Sequence, residues 1–324
     1  IKMAERVPGL NAVFGGHTHD GVPRPVEVKN VEGNTCLVTN AGSNSKFVGV
    51  MDFGLDGGKI QSMNYKMLPI ISDWLEPDKE MQAYIDQMRS TKYDEKVVES
   101  RASKFFFNPA RVGKPSEEIL GEKLAIAART LYRRGNVMGT WDQVLCNALR
   151  HEYDADIALS AGVRWGTSTL EGDWITMEDV MTQCAMTYGE TYVMEMTGAD
   201  LLNMLEGVAD NLFDPDPYLQ SGGDMVRVGG LDYTIKPNAE LGHRISDTRL
   251  DNGHVIEAGE TYKVAGWASV NRTPEGRLMW DVVRDYIMAV KGEDNVLRIP
   301  KINHPKVVGV KDNPGIADYP GGLA

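Results

Sequence analysis

The 324-residue chain carries 34 basic and 46 acidic side chains, a net charge of −12, with 42% hydrophobic and 25% charged residues. This is ordinary globular composition with room for two domains. It offers no run of about 18 apolar residues for a membrane span. Its acidic balance, with no basic patch, argues against a nucleic-acid partner. Three dispersed cysteines, Cys36, Cys146 and Cys184, do not form a disulfide framework.

In chain order, Ile1 to Val7 reads as the end of an amphipathic helix, and Asn11 to Phe14 as a short buried strand running into Gly15-Gly16. Thr35–Thr39 and Phe47–Leu55 read as strands, with Asp56-Gly57-Gly58 as a hairpin turn. Met81, Tyr84, Ile85 and Met88 recur at helical spacing over Asp78–Arg89. Beyond the Phe105-Phe106-Phe107 triplet, which reads as core or interface packing, Glu117–Arg133 is expected to be helical and to stop at Arg133-Arg134-Gly135-Asn136. Thr140 is expected to cap a helix through Tyr153, with Trp141, Val144, Leu145 and Leu149 on one face. Strands are expected at Asp156–Leu159, Thr191–Met196, Leu231–Ile235, Arg249–Val255 and Tyr262–Trp267. Helices are expected to open at Ile175–Val180 and Thr197, and to cover Leu278–Val290. Strands and helices in alternation, with antiparallel hairpin signals, make a mixed α/β (α+β) chain.

The sharpest feature is Gly15-Gly16-His17-Thr18-His19-Asp20. Two imidazoles two residues apart, directly after a strand and two glycines, can present neutral nitrogens to metal, and a splayed pair can serve two adjacent ions. The other histidines, His151, His243, His254 and His304, read as solvated structural positions. No Asp-x-His, Gly-Asn-His or Gly-Asp-x-x-Asp pattern accompanies the pair. The partners of His17 and His19, and the catalytic residues, are therefore expected upstream, on the parent of a C-terminal fragment.

Val13 to His19 resembles the last metal motif of calcineurin-like metallophosphoesterases of the 5'-nucleotidase subgroup, and Thr39-Asn40-Ala41-Gly42-Ser43 resembles that family's next strand and turn. Thr140–Tyr153 followed by Ser160-Ala161-Gly162-Val163-Arg164 is similar to its interdomain helix and Gly-Gly-Ile-Arg substrate loop. Gly172-Asp173-Trp174-Ile175-Thr176 and Thr197-Gly198 fit as well. The resemblance implies two parts. Residues 1–116 would be the C-terminal end of a four-layer metallophosphoesterase sandwich. Residues 117–324 would be a mixed α/β 5'-nucleotidase-type substrate-binding domain, entered through the helix at about 140–153.

Four longer strings narrow the resemblance: Leu131 to Asn136, Gly139 to Gln143, Gly162 to Thr167, and Gly222 to Leu231. As a set they resemble the SoxB thiosulfohydrolases of bacterial sulfur oxidation. That family is periplasmic, carries two manganese ions, and hydrolyses cysteine-bound thiosulfonate on the SoxYZ carrier protein to release sulfate. Zinc or iron would suit the same ligand types. Departures from nucleotidases agree. Thr187-Tyr188-Gly189-Glu190 replaces Pro-Phe-Gly-Asn, and Trp267 to Pro274 lacks the Gly-Gly-Asp-Gly loop that helps hold a base.

On this reading Arg164 and Arg227 clamp a sulfonate, with Asp224 beside them, while Trp165, Tyr188 and Trp267 line a channel for a peptide arm. Each has a structural alternative. Arg164 could form a surface ion pair, Arg227 could pair with Asp224, and the aromatics could belong to the core. Two other readings stay open: a periplasmic 5'-nucleotidase or related nucleotide phosphohydrolase, and a non-catalytic module that binds the carrier arm.

Overall fold

The computed structural model describes residues 1–92, 111–133, 137–163, 166–185, 188–220, 223–269 and 276–310. The Phe105–Phe107 triplet lies outside them, as do Arg164 and Trp165. The chain divides into two compact units, Ile1–Gln82 and Ala83–Ala324, each taken by itself.

Unit 1 opens with α1 (Lys2–Arg6). Five strands follow: β1 (Ala12–Gly15), β2 (Val26–Lys29), β3 (Thr35–Asn40), β4 (Phe47–Asp56) and β5 (Lys59–Pro69). Then comes α2 (Lys79–Ser90), which carries the chain into unit 2. β1 lies parallel to β3, with Phe14 opposite Thr39, and β2 is antiparallel on the other side of β3. β4 and β5 form a two-stranded hairpin closed at Gly57 and Gly58 (φ 54° and 76°), where Asp-Gly-Gly asks for a turn with positive φ. The buried core of this unit is small: Ala4, Val28 and Cys36, with Leu10, Val13 and Val38 packed against them. Phe14, Leu55 and Trp74 stay exposed.

Unit 2 continues with α3 (Ser116–Leu120), β6 (Lys123–Ala127), α4 (Thr140–Tyr153), β7 (Ile157–Ser160), β8 (Trp174–Thr176), α5 (Met177–Cys184), β9 (Thr191–Thr197) and α6 (Gly198–Leu212). It ends with β10 (Arg227–Gly229), β11 (Leu231–Ile235), β12 (Ile245–Leu250), β13 (Thr261–Trp267), α7 (Met279–Val290), β14 (Val296–Leu297) and β15 (Lys306–Val307). Its centre is a four-stranded sheet in the order β10-β7-β13-β9, flanked by the three-stranded sheets β12-β11-β15 and β14-β6-β8.

Successive side chains on a strand face opposite ways, so the central sheet serves two cores. Ala158, Ala265 and Trp267 enter the one formed with α4, α5 and α7. Ile157, Leu159, Tyr262 and Val264 enter the one formed with α6 and β11. Thr176 and Thr197 each cap the next helix in a reciprocal box, with Asp179 and Asp200 three residues on.

Three local expectations need correction. Glu117–Arg133 is not one helix. A single turn and a half stops at Gly121, and Lys123–Ala127 is a strand paired on both edges, so sheet pairing overrides helix propensity there. Thr140 is the first helical residue and Gly139 is the cap; the Thr140 hydroxyl instead donates to Thr130 O and accepts from the Tyr132 amide. Arg249–Val255 is not a strand, because β12 ends at Leu250 and Asn252-Gly253 turns the chain, with Gly253 at φ 88°. Strands β2, β6, β8, β10, β14 and β15 carry too few alternating residues to stand out in sequence.

Candidate functional site

The histidine loop of unit 1 is built on the end of β1. Gly15 lies against the β3 backbone, where a Cβ would come within 2.8 Å of Thr39 O, so only glycine lets the chain leave the sheet there. The loop is pinned at both ends. Asn40 Nδ2 donates to Thr18 Oγ1 at 3.0 Å, the Gly42 amide donates to Asp20 O at 2.8 Å, and the Val22 amide to Asn40 O at 2.8 Å. Between these anchors His17 and His19 both sit in the left-handed region, at φ 62° and 61°. A non-glycine residue there costs about 1–3 kcal/mol and persists only where its surroundings hold it, a pattern typical of functional sites. His17 is exposed and His19 half-buried. The donor chemistry, two imidazoles on a held loop, suits a transition metal. Among the described residues no three His, Cys, Asp or Glu side chains gather into a metal-sized cluster.

In unit 2 the register of the central sheet gathers the remaining positions. Ser160 at the end of β7 faces Arg227 at the start of β10, and Trp267 at the end of β13 faces Thr191 at the start of β9. The parallel strands β7 and β13 finish where the antiparallel β10 and β9 begin. Four chain segments therefore meet at one edge of the sheet: Ala161–Val163, Asp224–Val226, Tyr188–Glu190 and Ala268–Ser269. Ligand sites in α/β sheets commonly form at such strand ends. Ala268, at φ 61°, is a strained non-glycine turn on this edge.

Beneath this edge lies a wholly buried chain of alternating charge. Arg133 Nε donates to Asp142 Oδ1 at 2.9 Å, Arg227 Nε lies 3.4 Å from Asp142 Oδ2, and Arg227 Nη2 donates to Asp224 Oδ2 at 3.1 Å. Arg227 thus takes its place inside the fold, 0% exposed, paired with Asp224. Trp267 is 3% exposed, with its indole N–H donating to Ser160 Oγ at 2.8 Å. Tyr188, at 43% exposed, stands at the surface of the same edge. Arg164 and Trp165 follow Val163 in sequence. Gly162 packs against the Asp224–Met225 backbone so closely that a Cβ would overlap the Met225 carbonyl.

Sequence reasoning misses Arg133 and Asp142. Arg133 reads as the end of a helix. The available signal is Asp142-Gln143 within the otherwise apolar Trp141–Leu145 stretch, since charge on a buried face demands a partner. Of the other histidines, His254 is exposed and bonded to Glu260 at 2.7 Å, and His151 packs edge-on to Tyr286. His304 is not solvated: it is half-buried, and burial pushes its pKa down from 6.5.

Residues 122–272 match the 5'-nucleotidase C-terminal domain family, and the mixed α/β architecture of unit 2 is the fold of that domain. The chain is similar to the sulfate thiohydrolase SoxB of Thermus thermophilus, at 26% identity with a TM-score of 0.78, over 95% of this chain and 52% of SoxB. It is also similar to a 5'-nucleotidase precursor of the same species, at 19% identity and a TM-score of 0.69, over 94% of this chain and 61% of that one, a likeness of fold. A trifunctional nucleotide phosphoesterase, YfkN of Bacillus subtilis, is 28% identical over 275 residues, 82% of this chain and 17% of YfkN. The chain thus spans about half the length of the solved relative and a sixth of the curated one. At a coarse level these relatives are hydrolases.

Proposed function

We propose that this chain is part of a metal-dependent hydrolase that releases sulfate from thiosulfonate held on the cysteine of a SoxYZ-type carrier protein, in the periplasm. The likeness to SoxB over 95% of the chain at a TM-score of 0.78 carries the reading. Trp267, 3% exposed with its indole N–H donating to Ser160 Oγ, belongs to the core and offers an open face neither to a carrier arm nor to a nucleobase.

His17 and His19 would supply two ligands of a larger set holding two manganese ions. When bound, such a pair polarises an oxygen of the substrate and provides hydroxide at neutral pH. The chain's own residues bind and orient. Arg164, which follows Val163 in sequence, would bind the sulfonate, a task that suits the forked N–H donors of a guanidinium better than a lysine ammonium. Arg227 and Asp224 act from beneath, keeping the Asp224–Met225 backbone against Gly162. Tyr188 faces the carrier arm at the rim.

A second reading, a nucleotide phosphoesterase, is favoured by the match to YfkN at 28% identity. One experiment separates them. The native-length protein is supplied with manganese and given carrier-bound thiosulfonate or 5'-AMP, with sulfate and phosphate measured by ion chromatography. Sulfate release at a kcat/KM at least about tenfold above phosphate release is expected, equivalent to about 1.4 kcal/mol of transition-state discrimination. Dominant phosphate release would establish the second reading. Carrier binding without release of either anion would leave a binding module.

A further inference from the structure

Unit 1 holds a polar cavity of about 260 Å³ at the ends of β1 and β3 that point away from the histidine loop. Three stretches of chain meet there: Gly9 to Asn11 before β1, the turn between β2 and β3, and Ile60 to Met63 on β5. β3 runs from Thr35 at the cavity to Asn40 beside the histidine loop, a span of about 16 Å at roughly 3.3 Å per residue. The side chain that gives the cavity its character is Asn30, 6% exposed. Its backbone closes the turn, with its amide donating to Asn34 O at 3.0 Å and its carbonyl accepting from the Gly33 amide at 2.9 Å. Its Oδ1 accepts from the Glu32 and Asn34 amides at 3.0 and 2.9 Å. Two N–H donors aimed at that atom fix it as the oxygen, so the carboxamide cannot turn over. Nδ2 is left buried with no hydrogen-bond partner. The neighbouring carboxamides are loosely engaged. Asn11 Nδ2 donates to Gly9 O, and Asn34 Nδ2 to Glu32 Oε2, each at 3.4 Å, beyond the usual range for such bonds.

We propose that this cavity binds a small neutral polyol of monosaccharide size. Asn30 Nδ2 supplies a buried donor to one hydroxyl oxygen. Asn11, Asn34, Gln61 and Ser62 bring groups that both donate and accept, which matches a sugar hydroxyl, itself donor and acceptor. Leu10, Ile60 and Met63 offer apolar surface to the C–H face of the ring. The lining argues against other classes of ligand. None of the side chains that line the cavity is charged, so neither an anion nor a metal ion finds compensation there. An apolar molecule would leave Asn30 Nδ2 unpaired, a costly state for a buried N–H. The volume lies just under the range of about 300–1,000 Å³ for drug-sized ligands, which favours one ring over an oligosaccharide. The proposal stands on unit 1 alone and needs no part of the hydrolase reading.

The test uses the native-length protein and saturation-transfer NMR, with glucose, mannose and galactose titrated separately as probes. At least one should bind with a Kd at or below about 1 mM, within reach of a ligand of this size. Asn30→Asp keeps an oxygen for the Glu32 and Asn34 amides and replaces the buried donor with an acceptor, so Kd should rise at least about tenfold. Gln61→Ala changes an exposed side chain and remains informative should Asn30→Asp fail to fold; its Kd should rise about threefold. Sulfate at about 10 mM should leave the sugar bound, because nothing in the lining favours an anion. No binding of any of the three sugars up to about 20 mM would overturn the proposal and assign Asn30 Nδ2 to an ordered water. Binding unchanged in every folded variant would also overturn it, by placing the sugar elsewhere. Displacement of the sugar by sulfate would overturn the neutral class of ligand.

Discussion

The two units place their chemistry in opposite ways. Unit 1 presents His17 and His19 on an exposed, strained loop over a core of three buried residues. Unit 2 buries its charges, with Arg133, Asp142 and Arg227 inaccessible beneath a sheet edge shared by two extensive cores. In the first, backbone conformation orders the two candidate ligands. In the second, a desolvated ion network orders the backbone. The difference teaches where sensitivity to mutation resides: strain on an exposed loop is cheap to relieve, whereas a buried charge left without its partner is expensive.

The largest effect expected is from Asp142→Ala. It removes the carboxylate that the buried Arg133 and Arg227 guanidinium groups share inside unit 2 and should cost about 3–5 kcal/mol of stability. Urea denaturation reads this directly. A loss below about 1 kcal/mol would mean that water reaches the network. Next is Arg164→Ala, expected to lower kcat/KM by about 10- to 150-fold with the melting temperature unchanged, from the loss of a charged hydrogen bond worth about 1.5–3 kcal/mol. Arg164→Lys should recover only part, because the fork is lost.

A smaller effect separates the units by pH. His304 in unit 2 is half-buried and burial depresses its pKa, so the unfolded chain takes up its proton first as pH falls. Its contribution to stability is therefore present above the ordinary value of 6.5 and is lost as pH falls from there through the depressed folded value. Thermal melts between pH 8 and pH 5 should decline less steeply for His304→Gln. Equal slopes would remove His304 from the pH response. The smallest effect is His17→Gly. Relief of the left-handed conformation, offset by glycine's greater freedom when unfolded, should raise the stability of unit 1 by up to about 1 kcal/mol.

The same contrast explains what could be read in the sequence. The histidine loop is contiguous, so six residues state it, and the strands around it follow from Asp56-Gly57-Gly58 and the alternation in β4. Helices α4 to α7 are legible because each carries an apolar face, with a capping threonine before α5 and α6. The network of unit 2 joins residues 133, 142, 224 and 227, which only the fold brings together. Asp224, three residues before Arg227, is legible as a partner, but nothing local points to Asp142 as the second. Strand β6 is hidden for a related reason: Lys-Leu-Ala-Ile-Ala favours helix by propensity, and only its pairing with β8 and β14 makes it a strand.

The central claim is that His17 and His19 hold metal for an oxyanion hydrolase. The most direct measurement is the metal content of the native-length protein purified with manganese, by inductively coupled plasma mass spectrometry, beside that of the His17→Ala, His19→Ala double variant. The account predicts near two ions per chain in the wild type and a clear fall in the variant, with hydrolysis lost and the melting temperature of unit 2 kept. A variant that retains full metal occupancy and full turnover would contradict it and return the two histidines to the surface of an ordinary loop.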